Sequence, residues 1–96
     1  MDKLIGLALR ARKITLGTEL TIQKLRKNEI HLIVLAHDAS LNTKKKVLDK
    51  ASTYHTRVIE PLSGRELSQA LGKNDIKVIG ITDPGFSRLL LDEKRK

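Results

Sequence analysis

Gly17 stands between a short apolar stretch and a helical pattern. A glycine there lets the chain turn sharply while another backbone comes close. Behind it the amides of Thr18, Glu19 and Leu20 head a helix, and free amides at the positive end of a helix dipole make a site for an anion such as phosphate. Lys24, Arg26 and Lys27 follow on the same element. The same spacing also fits an ordinary strand-to-helix turn followed by a solvated basic face. A second basic run, Lys44, Lys45 and Lys46, falls in the first turns of another expected helix. Cations there oppose the macrodipole at about 0.3–1 kcal/mol each, so the run reads either as a functional feature or as a solvated run behind a Ser40 or Asn42 cap.

Asp38 and Asp83 each follow an expected strand. At the carboxyl edge of an open sheet, two such carboxylates could hold Mg²⁺ for phosphoryl or phosphodiester chemistry. An Asp ahead of a helix, followed in one case by Pro84, is also what N-capping predicts. His31, His37 and His55 assemble no metal or nucleophile motif, and no HExxH, GxSxG or P-loop spacing occurs.

These residues must be placed by alternating elements. The near-continuous apolar runs at 31–36 and 77–82 suit strands covered on both faces, and 57–60 is a third strand with a weaker fourth at 13–16. Helical patterns fall at 2–12, 18–27, 42–55, 63–72 and from 83 into a basic tail. In the third, Val47, Leu48 and Ala51 form the expected buried stripe, with Tyr54 or His55 completing it. The fourth has the clearest bounds: Ser63 and Glu66 make a capping box, Leu62 and Leu67 take the staple positions, and Gly72 sits where a C-terminal cap belongs. Strands alternating with helices imply one α/β domain over 1–96, a three-layer α/β/α sandwich on a four-stranded mixed sheet.

Composition narrows the partner. Nineteen Lys and Arg against 11 Asp and Glu leave a net charge of +8 on 96 residues, which favours an anionic partner, above all nucleic acid. Residues 1–50 hold 11 of the cations and 5 of the anions, so the anion is expected to meet the first half. Tyr54 and Phe86 are the only aromatics, too few for the stacking platforms of single-strand readers. Without cysteine, disulfides and thiolate chemistry are excluded and a reducing, cytoplasmic setting is expected. The apolar start at 4–9 is too short for a membrane span, so no membrane partner is expected.

The order of elements and several motifs resemble the kink-turn RNA-binding ribosomal protein family, the group called L-seven-Ae and L-thirty-e, and within it the bacterial YlxQ-like branch. The family's G-x-N-E-x-x-K motif falls on 17–23, its A-x-D strand end on Ala36 and Asp38, and its L-G-x-A-x-G helix on 67–72. The branch features are DASLNTKKK at 38–46, ELSQALGK at 66–73 and TDPGF at 82–86. The resemblance implies recognition of a sharply bent RNA duplex with sheared G·A pairs. Gly17, Thr18, Glu19, Leu20 and Gln23 would lie against those pairs and the flanking phosphates. Asp38, Ala39, Ser40 and Leu41 would shape a pocket for an extruded base, with Lys73, Asn74, Asp75, Ile76 and Lys77 covering its other side. Lys24, Lys27, Lys44 and Lys73 would supply phosphate contacts. Three positions depart from the family's Asn, Glu and Lys, namely Glu19, Leu20 and Gln23, and Ser68 replaces its usual Gly. Glu19 retains an acceptor for a guanine edge and Gln23 a donor, whereas Leu20 has neither.

The expected function is therefore a non-enzymatic, monomeric RNA-binding protein for ribosomal or other kinked RNA, at or near the ribosome, with no cofactor, metal or small-molecule substrate. The alternatives are a Mg²⁺-dependent nuclease or phosphotransfer enzyme built on Asp38 and Asp83, and a protein-interaction module of a ribonucleoprotein.

Overall fold

The computed structural model describes residues 1–94. The expected tail residues Arg95 and Lys96 lie outside that range. Nine elements follow in order: α1 (Asp2–Arg10), β1 (Ile14–Leu16), α2 (Thr18–Leu25), β2 (Leu32–Leu35), α3 (Leu41–Thr53), β3 (Val58–Ile59), α4 (Gly64–Leu71), β4 (Val78–Ile81) and α5 (Pro84–Lys94). The sheet runs β1-β4-β2-β3, with β4 antiparallel to both β1 and β2, and β2 parallel to β3.

Alternation along the central strands divides the core. Leu32 and Val34 of β2 and Ile79 and Ile81 of β4 face α1, α4 and α5, packing with Ile5, Leu67 and Leu90. Ile33 and Leu35 with Val78 face the other way, onto Leu25 of α2 and Val47 and Ala51 of α3. Every residue of β2 and β4 is buried, which explains their unbroken apolar runs. Leu48 does not join the stripe expected for α3: it is 43% exposed, and Tyr54 is half-buried instead.

The second layer is seated by a close approach. Gly80 pairs with Thr15 across β1 and β4, and a Cβ added to it would meet Thr15 Oγ1 at 2.6 Å, Ile30 Cδ1 at 2.8 Å and Thr21 Cγ2 at 3.0 Å. The Gly80 N–H donates to Thr15 Oγ1 (3.1 Å), which shares a 2.8 Å hydrogen bond with Thr21 Oγ1. Both threonines are buried, so the hydroxyl pair satisfies itself while fixing α2 against the sheet.

The first four helices stop alike. Arg12, Asn28, His55 and Gly72 adopt left-handed φ, and the N–H of the next residue reaches back to Ala8, Lys24, Ala51 and Ser68 carbonyls respectively. Only the last of these stops is a glycine. Asn28 and His55 are types that visit this region more often than most but signal it more weakly than glycine, and Arg12 gives no such sign; the helices expected to 12, 27 and 55 end two residues sooner.

Gly80→Ala is expected to cost about 1–3 kcal/mol by overpacking this contact. Urea unfolding checks it: the midpoint should fall at unchanged slope, and a shift within experimental error would show that α2 can yield.

Candidate nucleic-acid interface

Strand direction decides which helix ends meet. Because β1, β2 and β3 all run opposite to β4, their carboxyl ends share one end of the sheet with the start of β4. The helices that follow them, α2, α3 and α4, all begin there. Backbone bonds tie the junctions together: Gly17 N–H to Val78 O at 2.9 Å, Ala36 N–H to Lys77 O at 2.7 Å and His37 N–H to Leu62 O at 3.0 Å. Three positive helix poles thus gather on one surface.

The three starts differ in what their amides meet. Ser40 caps α3 by accepting from Thr43 N–H at 3.2 Å. In α4 the full capping box forms: Ser63 Oγ accepts from Glu66 N–H and Glu66 Oε1 accepts from Ser63 N–H. Gly17, at φ 88° and ψ 165°, presents no side chain to cap α2, and an L residue would be strained in that conformation. Its helix start is the one left bare of a side-chain acceptor.

Asp38 caps across space. Its Oδ1 accepts from Gly64 N–H at 2.8 Å, so the end of β2 satisfies the first amide of α4. That bond, with the nearby Lys77 ammonium, holds the Asp38 carboxyl below the usual carboxylate range. The Lys77 side chain lies flat over Gly64, where an added Cβ would meet its Cδ at 2.6 Å. Between these groups opens a cleft of about 610 Å³, lined on one side by Asp38, Gly64, Arg65 and Ser68 and on the other by Lys73, Asn74, Asp75 and Lys77.

The structure therefore joins Asp38 to the 73–77 segment as the sequence suggests, but sorts the neighbouring residues differently. Ala39 is buried with Val47 and Ala51, Ser40 is spent on its cap, and Leu41 projects 85% exposed at the head of α3. Ile76 turns into the core beside α4 rather than into the cleft. Gly64, Arg65 and Ser68 also line the cleft, although the sequence marked this stretch only as a capping box and a family helix motif in which Ser68 replaces Gly, without placing it in the site.

The expected α2 set is split between two flanks. Glu19 and Gln23 face a smaller cleft shared with Arg26 and with Lys46 of α3. Lys46 Nζ donates to Glu19 Oε1 at 2.7 Å, and this ion pair lowers the Glu19 pKa. Leu20 and Lys24 face the β1 edge with Arg12 and His31, and Lys24 lies 3.9 Å from Glu29. At 1.5 Å per residue Lys24 stands about 10 Å along α2 from Gly17, and Lys27 lies past the helix end, so neither borders the glycine turn. Lys44 pairs with Glu60 at 3.4 Å. Two lysines of the 44–46 run thus offset their clash with the helix pole through acids on neighbouring elements, and among the described residues Lys45 has no carboxylate partner.

The two-carboxylate metal site does not form. Asp38 follows β2 and Asp83 follows β4, which is antiparallel to it, so they occupy opposite ends of the sheet. Asp83 Oδ2 accepts from Phe86 N–H at 2.9 Å as the cap of α5. Among the described residues no cluster of three or more potential metal ligands occurs, and no helix is long and apolar enough to cross a membrane.

Comparison with known proteins places this geometry. Residues 1–91 match the model of the ribosomal protein L7Ae/L30e/S12e/Gadd45 family. RNA-binding protein YlxQ of Enterococcus faecium is 48% identical over 85 residues, covering 88% of this chain and 82% of that protein. RNA-binding protein YlxQ of Bacillus subtilis (strain 168) is 40% identical over 88 residues, 92% of this chain and 88% of that one. A Bacillus halodurans protein of unknown function superposes with a TM-score of 0.93 at 37% identity, covering 99% of this chain and 96% of that chain. A Giardia lamblia 15.5kD RNA binding protein shares the fold at a TM-score of 0.76 and 14% identity, covering 95% and 78%.

The Asp38 bond sets a pH dependence. With its pKa lowered by folding, Asp38 contributes stability that is fully present above the ordinary carboxylate value of about 4 and is lost as pH falls through the folded value. Asp38→Asn should therefore unfold at lower urea than the parent from pH 5 to 7, with the gap closing below about pH 4. A gap independent of pH across that range would show that the carboxylate charge plays no part.

Proposed function

The chain belongs to the ribosomal protein L7Ae/L30e/S12e/Gadd45 family, and on that footing we propose that it binds structured, sharply bent RNA at the sheet end where α2, α3 and α4 begin. The single observation that carries this reading is the gathering of three helix N-termini at one end of the sheet, where the start of α4 lines a cleft flanked by Lys73 and Lys77. Two relatives at 40–48% identity bear the name RNA-binding protein, which supports the same partner.

The bare α2 start at Gly17 donates backbone amides to a phosphate, and the lysines of the cleft and of α3 add charge without reading sequence. The cleft receives an unstacked nucleotide. Glu19, held by Lys46, keeps its second carboxylate oxygen as an acceptor for a guanine amine. Stacking contributes little, since Tyr54 and Phe86 are half-buried and packed against the two cores. Recognition by shape and backbone suits a kinked duplex better than a single strand, which needs aromatic platforms. Ribosomal RNA is the natural test target, with a single domain acting as a monomer in the cytoplasm. The enzyme alternative loses its footing with the separation of Asp38 from Asp83.

Binding to a kink-turn hairpin should fall about a thousandfold between 50 and 200 mM salt if about six phosphates are neutralised. Lys45→Ala and Lys73→Ala should each weaken every RNA tested by roughly three- to tenfold, whereas Glu19→Ala should mainly erode the preference for kinked over straight duplex. Filter binding or anisotropy reads these outcomes; salt-insensitive binding, or none to any structured RNA, overturns the reading.

A further inference from the structure

We propose that Ser68 is a positioning residue that holds the 73–77 segment as a preformed wall of the cleft, ordered before any nucleotide enters. This rests on the RNA reading above and concerns how that site is prepared.

Three hydrogen bonds converge on Ser68. Its carbonyl accepts from Lys73 N–H at 2.9 Å, closing the end of α4. Its hydroxyl accepts from Ile76 N–H at 2.9 Å and donates to Ile76 O at 3.2 Å. One residue on a helix thus satisfies both backbone groups of Ile76 and receives the amide at the other end of the loop. Ile76 contributes a second anchor by packing its side chain against the α4-side core. Gly72, just before the tied Lys73 amide, and Asp75, just before Ile76, take left-handed φ of 66° and 54°, the sharp turns that a loop tied at both ends requires.

The chemistry separates positioning from contact. Ser68 lines the cleft but is only 8% exposed. A hydroxyl has one proton, and that proton is given to Ile76 O, so Ser68 has no donor to offer a ligand. Lys73, Asn74 and Asp75, in contrast, are exposed into the cleft, and their backbone is what Ser68 holds. A wall already ordered loses no further loop entropy when the nucleotide binds, which raises affinity without adding a contact.

Amide exchange of the free protein and RNA binding test this together. In Ser68→Ala the Ile76 amide should exchange at least about tenfold faster while the β4 amide of Ile79 is unchanged. Affinity for a kink-turn hairpin should fall about fivefold, the effect of a lost hydrogen-bonded tie, yet stay nearly level for the same hairpin made abasic at its unpaired nucleotides. Ser68→Cys, of similar size and weaker bonding, should fall between and guards against a variant that does not fold. Unchanged Ile76 exchange overturns the proposal whatever the RNA does. Equal loss on both hairpins, as a merely structural role would give, overturns it as well. Wild-type protein that binds neither hairpin overturns the RNA reading, and with it the binding half of the proposal, while the exchange result still judges the wall.

Discussion

The contact of Gly80 with Thr15 and Thr21 governs everything that α2 does. A helix laid on a sheet by side-chain bulk alone sits far enough away to slide, whereas here the sheet has no Cβ at the crossing and two buried hydroxyls lock together across it. That lock fixes both the height and the rotation of α2. Rotation decides which residues look toward α3 and which toward the β1 edge, and height decides where the uncapped turn at Gly17 stands relative to the start of β4.

From that seat the remaining geometry follows from strand direction. Three parallel strands deliver three helices to one end of the sheet, and each start handles its amides in a different way. α3 and α4 satisfy theirs internally or through Asp38, which leaves α2 as the pole with amides to spare. Charge is arranged with similar economy. Glu19 and Glu60 each take one lysine of the 44–46 run, so the cations that oppose the α3 dipole are held in place rather than left to repel one another.

Much of the scaffold was legible in the sequence. The runs at 31–36 and 77–82 announced doubly covered strands, and the Ser63–Glu66 box marked the start of α4 to the residue. Less could be read where an answer depends on direction or on contacts far apart in the chain. Nothing local says that β4 runs against β2, so Asp38 and Asp83 looked like neighbours and stand apart. Helical spacing put Lys24 and Lys27 on the same element as Gly17, but proximity in sequence overlooked the rise of the helix between them. Leu48 matched a buried stripe that the neighbouring elements leave uncovered. The cleft itself was half visible: the resemblance pointed to Asp38 and the 73–77 segment, whereas the α4 residues between them stood out as a cap and a helix motif and not as cleft lining.

The outer strands of the sheet have a separate consequence. β1 spans three residues and β3 only two, so each free edge offers a very short row of backbone donors and acceptors to a passing chain. Edges that short make poor templates for strand addition. A small, highly basic protein brought to high local density on a polyanion is thereby guarded against edge-to-edge association.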